Sequence, residues 1–210
     1  MHYVMYVDGS HHPGTECAGS GLFGYSYKTS DKPKNISVPI DKTQTFTQTG
    51  IRPLEDAEVC NIEVVSIFEK SISIFHEEAT NNGAEVLALM EALRLGISKD
   101  DLESILIRTD SNYVVTTFNE RMFEWAESEW RTKSGKLAAH HLMWKEALDI
   151  LNQFKATNKL VTVEWVKGHS SHLGNNLSDL YASMGTNKGC FHLANLGVRC
   201  QTVAHHLNTL

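Results

Sequence analysis

What this chain lacks narrows its identity first. Its four cysteines, Cys17, Cys60, Cys190 and Cys200, are scattered and form no CxxC pair. That argues against a disulfide framework and a zinc ribbon, and fits thiols in a reducing compartment. No apolar run approaches the ~20 residues that a bilayer-spanning helix needs, so no membrane association is expected and a cytoplasmic location is. The start, MHYVMYVDGS, has no basic segment and meets an acid at position 8, so it is not expected to act as a signal peptide. Positive charge is scarce: 19 Lys and Arg against 25 Asp and Glu give a formal net charge of −6. A protein that holds nucleic acid by bulk charge alone is disfavoured, although local patches and bound cations can reverse the sign. Internal repeats and low-complexity tracts are also missing. What remains is a chain of 210 residues, 41% apolar, enough for one domain with a real core.

Hydrophobic patterning divides the chain into strands and helices. Tyr3–Gly9 (YVMYVDG) reads as a buried strand that ends at an acid and a glycine, and Ala18–Lys28 as its antiparallel neighbour. Residues 29–61 are polar, Thr-rich and hold three of the four prolines, which marks an insertion. Ser71–Glu78 alternates as a strand does. Ala84–Gly96 has helical spacing at Leu87, Met90 and Leu93, with Gly96 as its stop. Ser104–Asp110 is a short strand ending in an acid. A mostly helical stretch follows from Ser111, then an amphipathic helix over Ala138–Phe154, a strand over Lys159–Val166 and a helix over Asn175–Met184. Three meandering strands followed by β–α alternation predict an α/β fold, a mixed sheet flanked by helices. The tail, 186–210, is expected to be an extension that docks or oligomerises.

Four acids carry the chemical question. Asp8 follows VMYV and Asp110 follows LIRT. A carboxylate at the end of a buried strand is costly unless it is paired or binds a cation. Glu85 falls in the first turn of its expected helix, where it would offset the helix dipole, and Asp179 falls within the last one. Taken singly, each has an ordinary structural explanation. Taken together, carboxylates without basic partners repel one another unless they enclose hard divalent cations, and oxygen-only ligands favour Mg²⁺ or Mn²⁺ over zinc. A pair of such ions ~3.5–4 Å apart serves phosphodiester cleavage. The stretch EWVKGHSSHLGNNLSD (164–179) adds His169 and His172. By itself it admits three readings: a zinc site, a general acid/base loop, or a polar link between strand and helix.

Four blocks, YVDGS, TNNGAEVLAL, IRTDSNYV and WVKGHSSHLGNNLSDLYA, stand in this order. They resemble the signature blocks of type 1 ribonuclease H, and Trp130 and Trp144 fit the same resemblance. It implies a ribonuclease H-like fold with a five-stranded mixed sheet, a catalytic domain over 1–185 with the insertion at about 29–61 after the second strand, and a C-terminal extension over 186–210. It implies a metal-dependent endoribonuclease that hydrolyses the RNA strand of RNA–DNA hybrids, leaving 5′-phosphate and 3′-hydroxyl ends. The cofactor implied is Mg²⁺, two ions per site with substrate, with Mn²⁺ able to substitute. Asp8 would bridge both ions, Asp179 would help hold the one that activates water, and Glu85 and Asp110 the other. His169 matches a mobile-loop histidine that assists proton movement or product release. Asn81 and Asn82 would read the minor groove and the ribose hydroxyls, the feature that separates RNA from DNA. Gly9, Ser10, Ser111 and Asn112 would approach the RNA, and Thr80 a DNA-strand phosphate. His172 would shape the loop, and Asn175 would start or cap the helix. The partner is the hybrid duplex, and no obligate protein partner is implied.

The chain departs from the family where many members carry a basic helix that grips DNA. Residues 119–130 hold Glu120, Glu124, Glu127 and Glu129 against Arg121, with Trp125 kept at the aromatic position. Arg131, Lys133 and Lys136 follow, and the stretch from Lys28 to Arg52 carries Lys28, Lys32, Lys34, Lys42 and Arg52 against Asp31 and Asp41. These are expected to take over part of the hybrid contact. Two other readings stand beside the leading one: a nuclease of the same fold acting on DNA, and an inactive hybrid-binding module.

Overall fold

The computed structural model describes residues 1–14, 17–29, 62–75, 79–170 and 172–195. The body of the expected insertion and residues 196–210 lie outside the described residues, and with them Lys32, Lys34, Lys42 and Arg52; Lys28 lies in the second strand.

Five strands form one mixed sheet: β1 (His2–His11), β2 (Cys17–Thr29), β3 (Ile62–Phe75), β4 (Ser104–Thr109) and β5 (Leu160–Trp165), in the order β3-β2-β1-β4-β5. The first three make an antiparallel meander, and β4 and β5 are added parallel to β1. This is the expected five-stranded mixed sheet. β3 begins at Ile62, well before the expected Ser71, because it pairs along the whole of β2, from Cys17↔Phe75 to Thr29↔Ile62. As an edge strand it leaves Val65 and Ile67 exposed, which blurs the alternation that would have announced it.

Helices α1 (Asn81–Ile97) and α4 (His141–Ala156) cover one face of the sheet. Between β4 and α4 run α2 (Asn112–Thr116), a wide π turn (Thr117–Arg121) and α3 (Met122–Glu127). Val86, Leu89, Met90 and Leu93 form the buried stripe of α1 at helical spacing. They pack with Tyr3, Met5 and Val7 of β1, Ile105 and Ile107 of β4, and Trp144, Ile150 and Phe154 of α4. The Trp144 indole donates to the Tyr113 hydroxyl at 3.2 Å, which satisfies its buried N–H. Gly96 is not the helix stop. It lies inside α1 against Ile105 and Phe154, and Ser98 follows as the C-cap in a right-handed conformation.

The opposite face is crossed by α5 (Leu173–Asn195). Gly19 and Gly21 of β2 make this crossing close. A side chain on either would strike the α5 backbone around Ser178, Ala182 and Thr186. Gly185 lies on the Ile72 carbonyl of β3, and the Thr186 hydroxyl donates to the Ser10 carbonyl at 3.1 Å. The helix therefore runs past the expected end at Met184, so residues 186–195 continue α5. Among the described residues no helix is long and apolar enough to cross a membrane.

Candidate active site

The sheet register brings two of the acids together. Tyr6 of β1 lies beside Arg108 of β4 in a parallel pair. Asp8 and Asp110 each stand two residues further on, just past the last parallel pair, the usual place for a ligand site in such sheets; β1 does not end at Asp8 and Gly9 as expected but continues to His11 along β2. Glu85 arrives from above on α1. That helix starts at Asn81, three residues earlier than the expected Ala84, because Thr80 caps it: the Thr80 hydroxyl accepts from the Gly83 N–H at 3.0 Å. Glu85 thus sits in the second turn, and offsetting the helix dipole does not account for it. Gly9 lets α1 come close, since a side chain there would overlap the Glu85 backbone. The Ser20 hydroxyl ties the same turn to β2 through the Ala84 carbonyl at 2.7 Å.

Oxygen atoms of Asp8, Glu85 and Asp110 lie within 4.8 Å of one another, and Asp8 and Glu85 are only 6% and 4% exposed. Burial, then the charges of Asp110 and Asp179, push the Asp8 carboxyl up to about 7. Burial, then the charges of Asp8 and Asp110, raise Glu85 well above the carboxylate range. Glu85 Oε2 is buried without a hydrogen-bond partner. An all-oxygen donor set, crowded, desolvated and with an orphaned acceptor, fits a hard divalent cation.

Asp179 stands outside that close group but within its field. Burial and the Asp110 charge raise its carboxyl, while His169 opposes the rise. His169 Nδ1 lies 3.9 Å from Asp179 Oδ2, and the imidazole is 83% exposed on a residue with φ of 48°. His172 joins no metal-ligating group among the described residues. Its backbone carbonyl accepts from the Asn176 N–H in the first turn of α5.

The expected substrate residues surround this centre at helix starts. Asn81 and Asn82 are exposed in the first turn of α1, so they are helical residues and not a turn. Ser111 caps α2, and exposed Asn112 is its first residue. Gly9 and Ser10 are partly exposed at the end of β1. Trp125 is half-buried in α3 and lines a cavity of about 410 Å³ with Arg121, Glu124, Ser128, Arg131 and Lys133. Two of the three cations that follow the acidic segment therefore join the aromatic in one cavity.

Sequence reasoning missed three groups that fix Asp110. The Trp165 indole donates to its backbone carbonyl at 3.0 Å, and Asn175 Nδ2 donates to its Oδ2 at 3.2 Å. Gly168 packs so tightly on the same carboxylate that a side chain would strike it. Asn175 does not start α5, which begins at Leu173. One signal was legible: Asn175 stands four residues before Asp179, on the same helix face.

Residues 59–187 match the sequence model of the RNase H family. The chain belongs to the RNase H family. A ribonuclease H from Ruthia magnifica subsp. Calyptogena magnifica is 33% identical over 121 residues, 58% of this chain and 78% of that one. The fold is shared with LC9-RNase H1, a type 1 RNase H with the type 2 active-site motif. The TM-score is 0.58 at 19% identity, over 90% of this chain and 73% of that one. It is shared also with a foamy viral protease-reverse transcriptase solved with an RNA/DNA hybrid. There the TM-score is 0.55 at 19% identity, over 88% of this chain and 20% of that one. The RNase H family chain described here is therefore an enzyme of the hydrolase class, and its acidic cluster suits metal binding.

Proposed function

We propose that this RNase H family enzyme cleaves the RNA strand of RNA–DNA hybrids with two Mg²⁺ ions, leaving 5′-phosphate and 3′-hydroxyl ends. The observation that carries the reading is the crowding of Asp8, Glu85 and Asp110 within 4.8 Å where the parallel pairing of β1 and β4 ends. When bound, a pair of such ions activates the attacking water and stabilises the leaving oxygen. Asp8, buried and within reach of Glu85 and Asp110, would hold both ions. Asp179 would help hold one, and Glu85 and Asp110 would hold the other. The burial of Asp8 and Glu85 keeps bulk water from competing for the cations. His169, exposed beside Asp179, relays a proton between site and solvent. Asn81 and Asn82 present amides to the minor groove and its 2′-hydroxyls, beside Gly9, Ser10, Ser111 and Asn112. Thr80 uses its hydroxyl as a helix cap, so its contact with a DNA phosphate is through the α1 N-terminus it closes. Trp125, with Arg131 and Lys133, receives the DNA strand, in place of a lysine-rich helix. A related fold solved with an RNA/DNA hybrid supports that substrate class.

Asp8→Asn and Asp110→Asn are the direct tests. Both variants lose cleavage of a labelled hybrid and keep most of their affinity for it. Full activity of both, in clean and metal-replete preparations, would refute the reading. All-DNA and all-RNA duplexes belong in the same assay, since cutting of DNA at the hybrid's rate would move the enzyme to the DNA-cleaving branch of this fold.

A further inference from the structure

We infer that Asn175 is a positioning residue of the metal centre. It is a neutral donor that fixes one oxygen of Asp110 so that the other is turned toward the neighbouring acids. The inference rests on the metal-binding reading above. Asn175 is 1% exposed, and its Nδ2 lies 3.2 Å from Asp110 Oδ2. The orientation of the amide follows from chemistry: an ionised carboxylate only accepts, so the atom facing it is the nitrogen. Its Oδ1 is buried and makes no hydrogen bond to the protein. Such an acceptor is a cost that an apolar side chain of the same size would avoid. What the amide supplies in return is the bond to Asp110.

The choice of side chain suits a cation site. A lysine or arginine at 175 would pair with Asp110 and cancel charge that the cation needs. An aspartate would add a fourth repelling carboxylate to Asp8, Glu85 and Asp110. An amide restrains the ligand and leaves the charge intact. Two further groups bear on the same residue. The Trp165 indole donates to the Asp110 carbonyl at 3.0 Å, and Gly168 leaves clear the space beside the carboxylate that a side chain would fill. The segment from Trp165 to Asp179 therefore brings one acid of its own and also aims an acid that belongs to β4. Asn175 and Asp179, one turn apart on α5, link the two.

Asn175→Ala and the near-isosteric Asn175→Leu test this without relying on turnover. Mn²⁺ binding is measured by calorimetry in the absence of nucleic acid, alongside the melting temperature of the metal-free protein. The expected result is roughly tenfold weaker Mn²⁺ binding in both variants, with a metal-free melting temperature at or above that of the parent for Asn175→Leu. The Mg²⁺ concentration for half-maximal hybrid cleavage rises in parallel. Parent-level Mn²⁺ affinity in either folded variant would overturn the inference. So would a lower melting temperature with unchanged affinity, since that assigns Asn175 to packing alone. The parent protein's own isotherm judges the metal site itself: no Mn²⁺ binding there would overturn the underlying reading and this inference with it.

Discussion

Asp8 and Glu85 are 6% and 4% exposed, whereas the side chains of Asp179 and His169 are 39% and 83% exposed. The site thus has a buried half, set by the register of β1 and β4 and the close approach of α1, and an open half carried by α5 and the loop before it. The buried half is held by backbone: Gly9 against α1, and the paired ends of two parallel strands. The open half is held by side chains and one strained backbone position, His169. Rigid geometry serves the groups that must stay crowded against their own repulsion, and exposure suits the proton relay proposed for His169.

The difference predicts a gradient of effects. Glu85→Gln, in the buried half, lowers the rate of hybrid cleavage at least about a thousandfold, a loss of several kcal/mol of transition-state stabilisation. His169→Ala, in the open half, costs about a hundredfold in single-turnover rate. Equal losses would erase the distinction between the halves. Gly168→Ala tests the seam between them. The new methyl meets the Asp110 carboxylate, and roughly ten- to a hundredfold of activity is lost with the fold kept by circular dichroism.

A smaller effect is on stability. The Asp8 carboxyl is raised from 3.8 to about 7. Between those pH values the folded chain holds a proton that the unfolded chain has released, so the metal-free protein loses stability as pH rises through that window. Glu85, raised by the same burial and by Asp8 and Asp110, adds with the same sign. The melting temperature in chelator should fall by several degrees between pH 5 and 8, about the shift that ~1–2 kcal/mol gives a domain of this size. Mg²⁺ should restore it, and Asp8→Asn should flatten the slope. A melting temperature that rises over the window would contradict the assignment. The smallest effect belongs to the cavity beside Trp125: Lys133→Glu should lower the salt slope of hybrid binding by about one and leave the bound-state cleavage rate unchanged.

Asp8 and Asp110 stood out because a charge after an apolar run is conspicuous, whereas Glu85 and Asp179 each had an ordinary local explanation and joined them only through the resemblance. The sheet was legible in β1, β4 and β5, where the apolar runs are short and bounded. The start of β3 was not, since an edge strand exposes Val65 and Ile67 and takes its length from its partner. Glycine misled once. Gly96 read as a helix stop, yet it lies inside α1, packed closely on Ile105 and Phe154. Thr80 shows the opposite case, a cap whose local chemistry was visible and which moved Glu85 out of the first turn. The bonds from Trp165 and Asn175 to Asp110 span 55 and 65 residues. Only the folded sheet brings those partners together, and no local pattern records them.

In the function proposed above, the four acids act through bound cations. Single-turnover cleavage of an end-labelled RNA–DNA hybrid, followed from chelator through a full Mg²⁺ titration, tests it most directly. The expected result is no cleavage in chelator, a rise steeper than a single-ion isotherm, and products that carry 5′-phosphate and 3′-hydroxyl ends. Cleavage that persists in chelator, or products with 2′,3′-cyclic phosphate ends, would contradict it.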